Sequence, residues 1–229
     1  MLLALLLAAQ AAAEAPRLTP AALPPVPADA VRVFLVRHGQ ALSNLDPTPE
    51  LPPEKLDRLT GLGRTQARRA AEGLRRSAIE RILTSPAGRA RETATVLAEV
   101  LGLPVEVEKR LRSLELGHGR DGRDLDWDFR EAEWAAGRDP SPEGGESLDA
   151  LGKRVLALVA ELAKRPGRSL LLVAHSEVIA AFVGEVTGLA APQRWPPKVP
   201  NGSITIVEGR AGERPRVLLA SHVPAAAGR

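Results

Sequence analysis

Three groups of residues in this chain have the types and spacing of a site that handles anions. Arg37-His38-Gly39 follows the run Val31-Arg32-Val33-Phe34-Leu35-Val36, so an arginine and a histidine stand at a strand end beside a glycine that lets the backbone turn and a ligand come close. Ser85-Pro86-Ala87-Gly88-Arg89-Ala90-Arg91-Glu92-Thr93 is a second strand-to-helix junction. A helix start offers unpaired N–H groups to an anion, and Arg89 in its first turn adds a fork that matches phosphate oxygens. His175 ends another apolar strand and repeats the setting of His38. Taken singly, Arg89 suits a surface ion pair and His175 a satisfied buried histidine.

The elements that must position these groups follow from periodicity. An apolar strand belongs inside an α/β sheet, where ligands gather beyond the carboxyl ends of the strands. Further strands are predicted over Ile79–Thr84, Val105–Val107, Ser169–Ala174, Ser203–Glu208 and Arg216–Ser221. Between them, helices are predicted from Gly61 to about Arg76, from an Ser85-Pro86 cap to Leu101, over Leu125–Ala136, over Ser147–Lys164 and over Ser176–Gly188. Strands alternating with helices imply right-handed crossovers, hence a three-layer α/β/α domain with a mostly parallel central sheet.

The 229 residues suit one such domain, expected over 31–229. Hydrophobic and charged contents of 44% and 26% are ordinary for a globular protein, and no apolar run reaches the length of a spanning helix. The net charge is only +3, yet the pI near 9.8 reflects an arginine-rich basic complement that favours anionic ligands. Arg64, Arg68, Arg69, Arg75 and Arg76 share a predicted helix without interleaved aromatics, which reads as a solvated face and not a nucleic-acid surface. The absence of cysteine removes disulfides, thiolate nucleophiles and cysteine-based zinc sites.

Residues 1–15 carry a short apolar core and Ala9-Gln10-Ala11, a small-residue cleavage pattern, and are read as an export signal. No lysine or arginine precedes that core, and a cytoplasmic location is the alternative. Residues 16–30 are proline-rich and read as an extended linker.

Together the motifs resemble the histidine phosphatase superfamily, the phosphoglycerate-mutase-like phosphatases, from Val31 to about Glu208. The resemblance rests on Arg37-His38-Gly39 with Asn44 six residues beyond the histidine, on Leu59–Ala67, on Ser85–Thr93, on Gly144-Gly145-Glu146-Ser147 and on the late strand entering His175. It implies a phosphoglycerate-mutase-like fold and a phosphatase acting on a small phosphorylated substrate, with no metal or other cofactor, no nucleic acid and no stable membrane association. His38 would form a phosphohistidine, while Arg37, Arg89 and His175 would hold the phosphoryl oxygens, and Asn44 would join the substrate contacts. Two readings stand beside hydrolysis, namely phosphoglycerate mutase-type transfer and a non-catalytic phospholigand-binding protein. The mutases usually carry an aromatic-glycine-tryptophan segment that Asp46–Leu59 lacks.

The family also asks for an acid that protonates the leaving oxygen, and here the chain departs from the pattern. In Arg112-Ser113-Leu114-Glu115-Leu116-Gly117-His118-Gly119-Arg120-Asp121-Gly122, spacing to Gly119 selects Glu115, whereas alignment on Gly117 puts Ser113 at the acid position. A serine has no suitable pKa, so Glu115 is expected to be the acid, with Asp121 as the fallback. A second departure is Ser176-Glu177 after His175, where the family commonly has glycine. Trp127, Phe129 and Trp134 supply half of the chain's six aromatics, and Trp127 and Trp134 share a helix face that packs on the domain or covers the substrate.

The export reading is checked at the N-terminus of the protein from its native host. Mass spectrometry should find it between Ala11 and Ala15, and an intact Met1 in a cytosolic fraction would contradict the signal.

Overall fold

The computed structural model describes residues 19–225 apart from Pro196 and Lys198. The export signal read over 1–15 lies outside the described residues. Strand β1 (Ala30–Arg37) stands between β4 (Arg168–Ala174), to which it runs parallel, and β5 (Ile204–Arg210), to which it runs antiparallel. With β2 (Ile79–Thr84), β3 (Val105–Val107) and β6 (Arg216–His222) they form one sheet in the order β3-β2-β4-β1-β5-β6. The four strands β3, β2, β4 and β1 are mutually parallel, and β5 alone reverses direction. This is the mostly parallel α/β sheet expected from the alternation of strands and helices.

Because side chains alternate across a strand, β1 feeds two separate apolar layers. Val31, Val33 and Leu35 pack with Leu151, Val155 and Leu158 of a helix at Leu148–Leu162 and with Ile179 and Phe182 of one at Ser176–Thr187. Phe34 and Val36 point the other way, onto Ala70, Ala71 and Leu74 of Gly61–Leu74 and Ala90, Ala94 and Leu97 of Gly88–Leu101. Each fully buried Val, Leu or Phe side chain contributes roughly 1.5–3 kcal/mol, so both faces hold the strand in place. In chain order the helices are α1 (Pro53–Leu56), α2 (Gly61–Leu74), α3 (Gly88–Leu101), α4 (Trp127–Ala135), α5 (Leu148–Leu162) and α6 (Ser176–Thr187). None of them is long and apolar enough to cross a membrane.

The helix starts explain how the loops are placed. Thr60 caps α2 by accepting from Gly63 N at 3.0 Å, and Ser147 and Asp126 do the same for α5 and α4. The predicted Ser85-Pro86 cap of α3 is not formed. That helix starts at Gly88, and the cap comes from outside it, since Asp57 accepts from Gly88 N at 2.5 Å and Arg89 N at 3.3 Å. Gly102 and Gly188 end α3 and α6 in the left-handed conformation, at φ of 70° and 76°.

The proline-rich stretch lies on the domain from Thr19 onward. Pro20–Ala22 forms a single 3-10 turn, Leu23 packs against the layer around Phe34, and Arg32 donates to Pro24 O.

The turn after β1 and the start of α2 approach backbone to backbone. A Cβ on Gly63 would stand 2.1 Å from Gln40 O, and one on Gly39 would stand 2.2 Å from Gly63 O. Gly63→Ala should gain up to about 1 kcal/mol in helix propensity and lose about 1–3 kcal/mol to overpacking, so the clash wins. Urea denaturation should show net destabilisation together with loss of phosphate-ester turnover, and an unchanged midpoint would show that the two segments can part freely.

Candidate active site

The register of β1 on β4 pairs Arg37 with Ala174, so the next residues on the two strands, His38 and His175, emerge side by side at the carboxyl edge of the sheet. Their rings lie 5.2 Å apart between centroids and meet edge to face. Both are buried, at 3% and 1% exposure. Thr84 of β2 pairs with Val173, which brings Ser85 to the same edge.

Hydrogen bonds assign a proton to one nitrogen of each ring. His38 Nδ1 stands 2.8 Å from Gly39 O, an acceptor only, so Nδ1 carries the hydrogen. Its Nε2 lies at the cleft, where its lone pair accepts from Arg89 Nε at 3.2 Å. His175 is the reverse case: Nδ1 accepts from Arg89 Nη2 at 3.1 Å, and Nε2 donates to Ser85 Oγ at 2.8 Å. Burial above all, then His175 and Arg89, pushes His38 well below the ordinary imidazole range. His175 is depressed likewise by burial first and then by Arg89, Arg37 and Arg154. Both imidazoles are therefore neutral at physiological pH.

Arg89 is oriented by Asp57, whose Oδ1 accepts from Nη1 at 2.7 Å. Arg37 donates from Nη1 to Val199 O at 2.7 Å, while its Nε is buried with no partner among the described residues. An unpaired buried donor costs free energy that an anion oxygen would recover. Arg37, His38, Asn44, Arg89 and His175 all line one cleft of about 350 Å³. Asn44 contributes with its Oδ1 already engaged by Ala41 N at 3.0 Å.

Glu115 is not brought to this cleft. Its side chain is 52% exposed and forms a double hydrogen bond with Arg112, at 2.7 and 3.0 Å, which holds its carboxyl below the usual range. Asp121 accepts from Arg123 N in the exposed loop and is no closer to the task. Ser113 lines the cleft instead, and its Oγ donates to Glu177 Oε1 at 2.5 Å. Glu177 is 6% exposed, and its Oε2 accepts from Ser176 Oγ at 3.2 Å. Glu146 is paired bidentately with Arg154, which also donates to Arg110 O and Arg112 O and so pins the loop before Ser113.

Sequence reading missed Asp57, Ser85, Glu131, Glu177 as a carboxylate within the cleft, and Trp195. Trp127 stacks on Trp195 at 5.6 Å and 16°, and the two form the aromatic wall of the cleft, with Trp134 buried behind them. Trp134 therefore packs in the interior, while Trp127 faces the cleft. Among the described residues no group of three or more His, Cys, Asp or Glu could hold a metal ion.

The family model described as histidine phosphatase superfamily, branch 1, matches residues 33–221. The chain belongs to that superfamily. A relative from Photorhabdus laumondii named "Probable phosphoglycerate mutase GpmB" is 32% identical over 185 residues, 78% of this chain and 85% of its own. Among solved structures, a mycobacterial glucosyl-3-phosphoglycerate phosphatase complexed with VO3 is 32% identical with a TM-score of 0.65, covering 83% of this chain and 99% of its own. YhfR of Bacillus stearothermophilus is 26% identical with a TM-score of 0.67 over 84% and 98% of the two chains.

Two buried neutral histidines make the folded protein sensitive to acid. Their folded pKa values lie below the unfolded value of about 6.5, so their stabilising contribution is full above that pH and is lost as pH falls and the unfolded chain takes up protons. Each histidine contributes a slope of up to about 1.4 kcal/mol per pH unit. Denaturant unfolding between about pH 7.5 and 5.5 should show this decline, and His175→Gln should flatten it. An equal slope in the variant would contradict burial in the neutral state.

Proposed function

We propose that the protein is a phosphomonoesterase that works through a phosphohistidine on His38. The observation that carries this reading is the His38 ring itself, neutral, with Nδ1–H tied to Gly39 O and the Nε2 lone pair facing Arg89 in a buried cleft. Phosphate-monoester hydrolysis is among the slowest uncatalysed reactions, so the site must supply a fixed nucleophile and compensate the charge on the transferred group.

In the first step the phosphoryl oxygens draw the Arg89 Nε–H away from His38, and the released Nε2 lone pair attacks phosphorus as the bond to the leaving oxygen breaks. Arg89 and the free Nε of Arg37 donate to the phosphoryl oxygens, and the fixed Gly39 carbonyl stabilises the proton on Nδ1 as the ring gains positive charge. His175, whose Nδ1 accepts from Arg89 Nη2, orients that guanidinium at the phosphoryl group. In the second step water attacks phosphorus, the P–N bond breaks, and the electron pair returns to Nε2. The two arginines provide the positive charge for which other phosphatases use metal ions.

Hydrolysis is favoured over mutase-type transfer by what surrounds the cleft. Glu131 and Glu177 line it, and Arg37 and Arg89 are the arginines among its described lining residues. Once these hold the phosphoryl group, a carboxylate on the substrate meets like charge, whereas a neutral alcohol does not. The aromatic wall of Trp127 and Trp195 suits the apolar face of a sugar or similar alcohol.

His38→Ala should reduce turnover by at least the several orders of magnitude that a covalent nucleophile supplies, with the fold intact. Rapid quench with labelled substrate should trap an acid-labile, base-stable phosphoenzyme in the wild type, and chelator should leave the rate unchanged. Undiminished activity in the variant, or a phosphoserine, would contradict the reading.

A further inference from the structure

We propose that Glu177, on the first turn of α6, is the proton-transfer residue of this site and does the work expected of an acid in the 110–123 loop. The proposal rests on the phosphohistidine reading and adds the group that reading leaves unassigned. Three observations carry it. The loop carboxylate selected from spacing, Glu115, is half exposed, bound by both guanidinium arms of Arg112, and absent from the cleft. The loop position that does reach the cleft is Ser113, whose hydroxyl cannot serve as an acid of suitable strength. That hydroxyl reaches 2.5 Å to a carboxylate on another element, so loop and helix together place a carboxylate where the loop alone places none.

The carboxylate is held for the purpose. Glu177 is 6% exposed, and the hydroxyls of Ser113 and Ser176 donate to one oxygen each, which fixes its plane. It acts electrostatically on Arg37, so it sits within the field of the phosphate-binding groups. The leaving oxygen gains negative charge as the P–O bond breaks, and a carboxyl lining the same cleft is the kind of group that can supply its proton. Glu131 is the other carboxylate of the cleft, but it lies exposed on α4 with no hydroxyl pair to orient it.

The protons balance over the two steps. As Nε2 of His38 bonds to phosphorus and the P–O bond breaks, the Glu177 carboxyl gives its proton to the leaving oxygen and becomes a carboxylate. In the second step that carboxylate takes a proton from the attacking water while the P–N bond breaks, which releases phosphate and restores the acid. Position 177 follows His175 by two residues, so the acid is carried on the same strand-to-helix turn as one of the phosphate ligands.

The test separates the two steps by rapid quench in the full-length protein, comparing an alkyl phosphate with p-nitrophenyl phosphate, whose leaving group needs little protonation. In Glu177→Gln, phosphoenzyme formation from the alkyl phosphate should fall by about 10²–10⁴, while formation from p-nitrophenyl phosphate should change by less than about threefold and the phosphoenzyme should then accumulate. Glu115→Gln should match the wild type on both substrates. Ser113→Ala, which loses only the hydroxyl that orients the carboxylate, should show the same selectivity in a smaller form, and it serves if Glu177→Gln does not fold. Equal slowing of both substrates in Glu177→Gln, wild-type behaviour of that variant, or selective loss in Glu115→Gln or Glu131→Gln would overturn the proposal. A wild type that forms no phosphoenzyme at all would instead overturn the underlying phosphohistidine reading.

Discussion

One guanidinium organises the site. Arg89 donates to His38 through Nε, to Asp57 through Nη1 and to His175 through Nη2, and so fixes three residues that arrive on different segments. Because an arginine can only donate, each imidazole nitrogen facing it must be unprotonated, and the other nitrogen of each ring finds its own partner in Gly39 O or Ser85 Oγ. Burial works in the same direction, since desolvation is the largest influence holding both rings neutral. A neutral ring beside a cation keeps its lone pair unprotonated, the state that the proposed nucleophile needs, while the cation supplies the attraction for an anion. A free imidazole on the surface would spend part of its time protonated and turning.

The fold meets this requirement through parallel strand register and two close backbone approaches. Register on β1 and β4 puts the histidines abreast, and the meeting of Gly39 with Gly63 leaves no room for a side chain between the turn and α2. Thr93 of α3 then accepts from Gly39 N at 3.0 Å, and Asn201 donates to His38 O at 3.0 Å, so the turn is tied on two sides. Each of these contacts lies on the rigid sheet edge, where the buried layers on both faces resist displacement. The cleft wall is built differently, from Trp127 on α4 and Trp195 in the segment after α6, which stack on one another.

The sequence made the sheet, its helices and four of the cleft residues legible, because Arg37, His38, Arg89 and His175 all stand at strand ends or helix starts that local pattern marks. The proposed acid was not legible by the same means. Spacing within one loop favoured Glu115, yet what decides is which way the loop faces, and that is set by Arg112 and by the buried Arg154–Glu146 pair. Ser113, at the acid position in one alignment, and Ser176-Glu177, where the family commonly has glycine, read as two separate departures from the family pattern. Their contact joins residues 64 positions apart and exists only in three dimensions. Ser85-Pro86 misled for a related reason: a serine before a proline reads as a helix cap, and here its hydroxyl serves His175 while Asp57 caps the helix from elsewhere. Trp195 carried no periodic signal, since it pairs with a tryptophan on another element.

The protonation state of His38 is the claim on which the account stands, and nitrogen chemical shifts report it directly. Long-range proton–nitrogen correlation spectra of ¹⁵N-histidine-labelled protein at neutral pH should show His38 as a neutral ring with the proton on Nδ1 and His175 as a neutral ring with the proton on Nε2, assigned by His38→Ala and His175→Gln. Two cationic rings, or a His38 carrying its proton on Nε2, would contradict it.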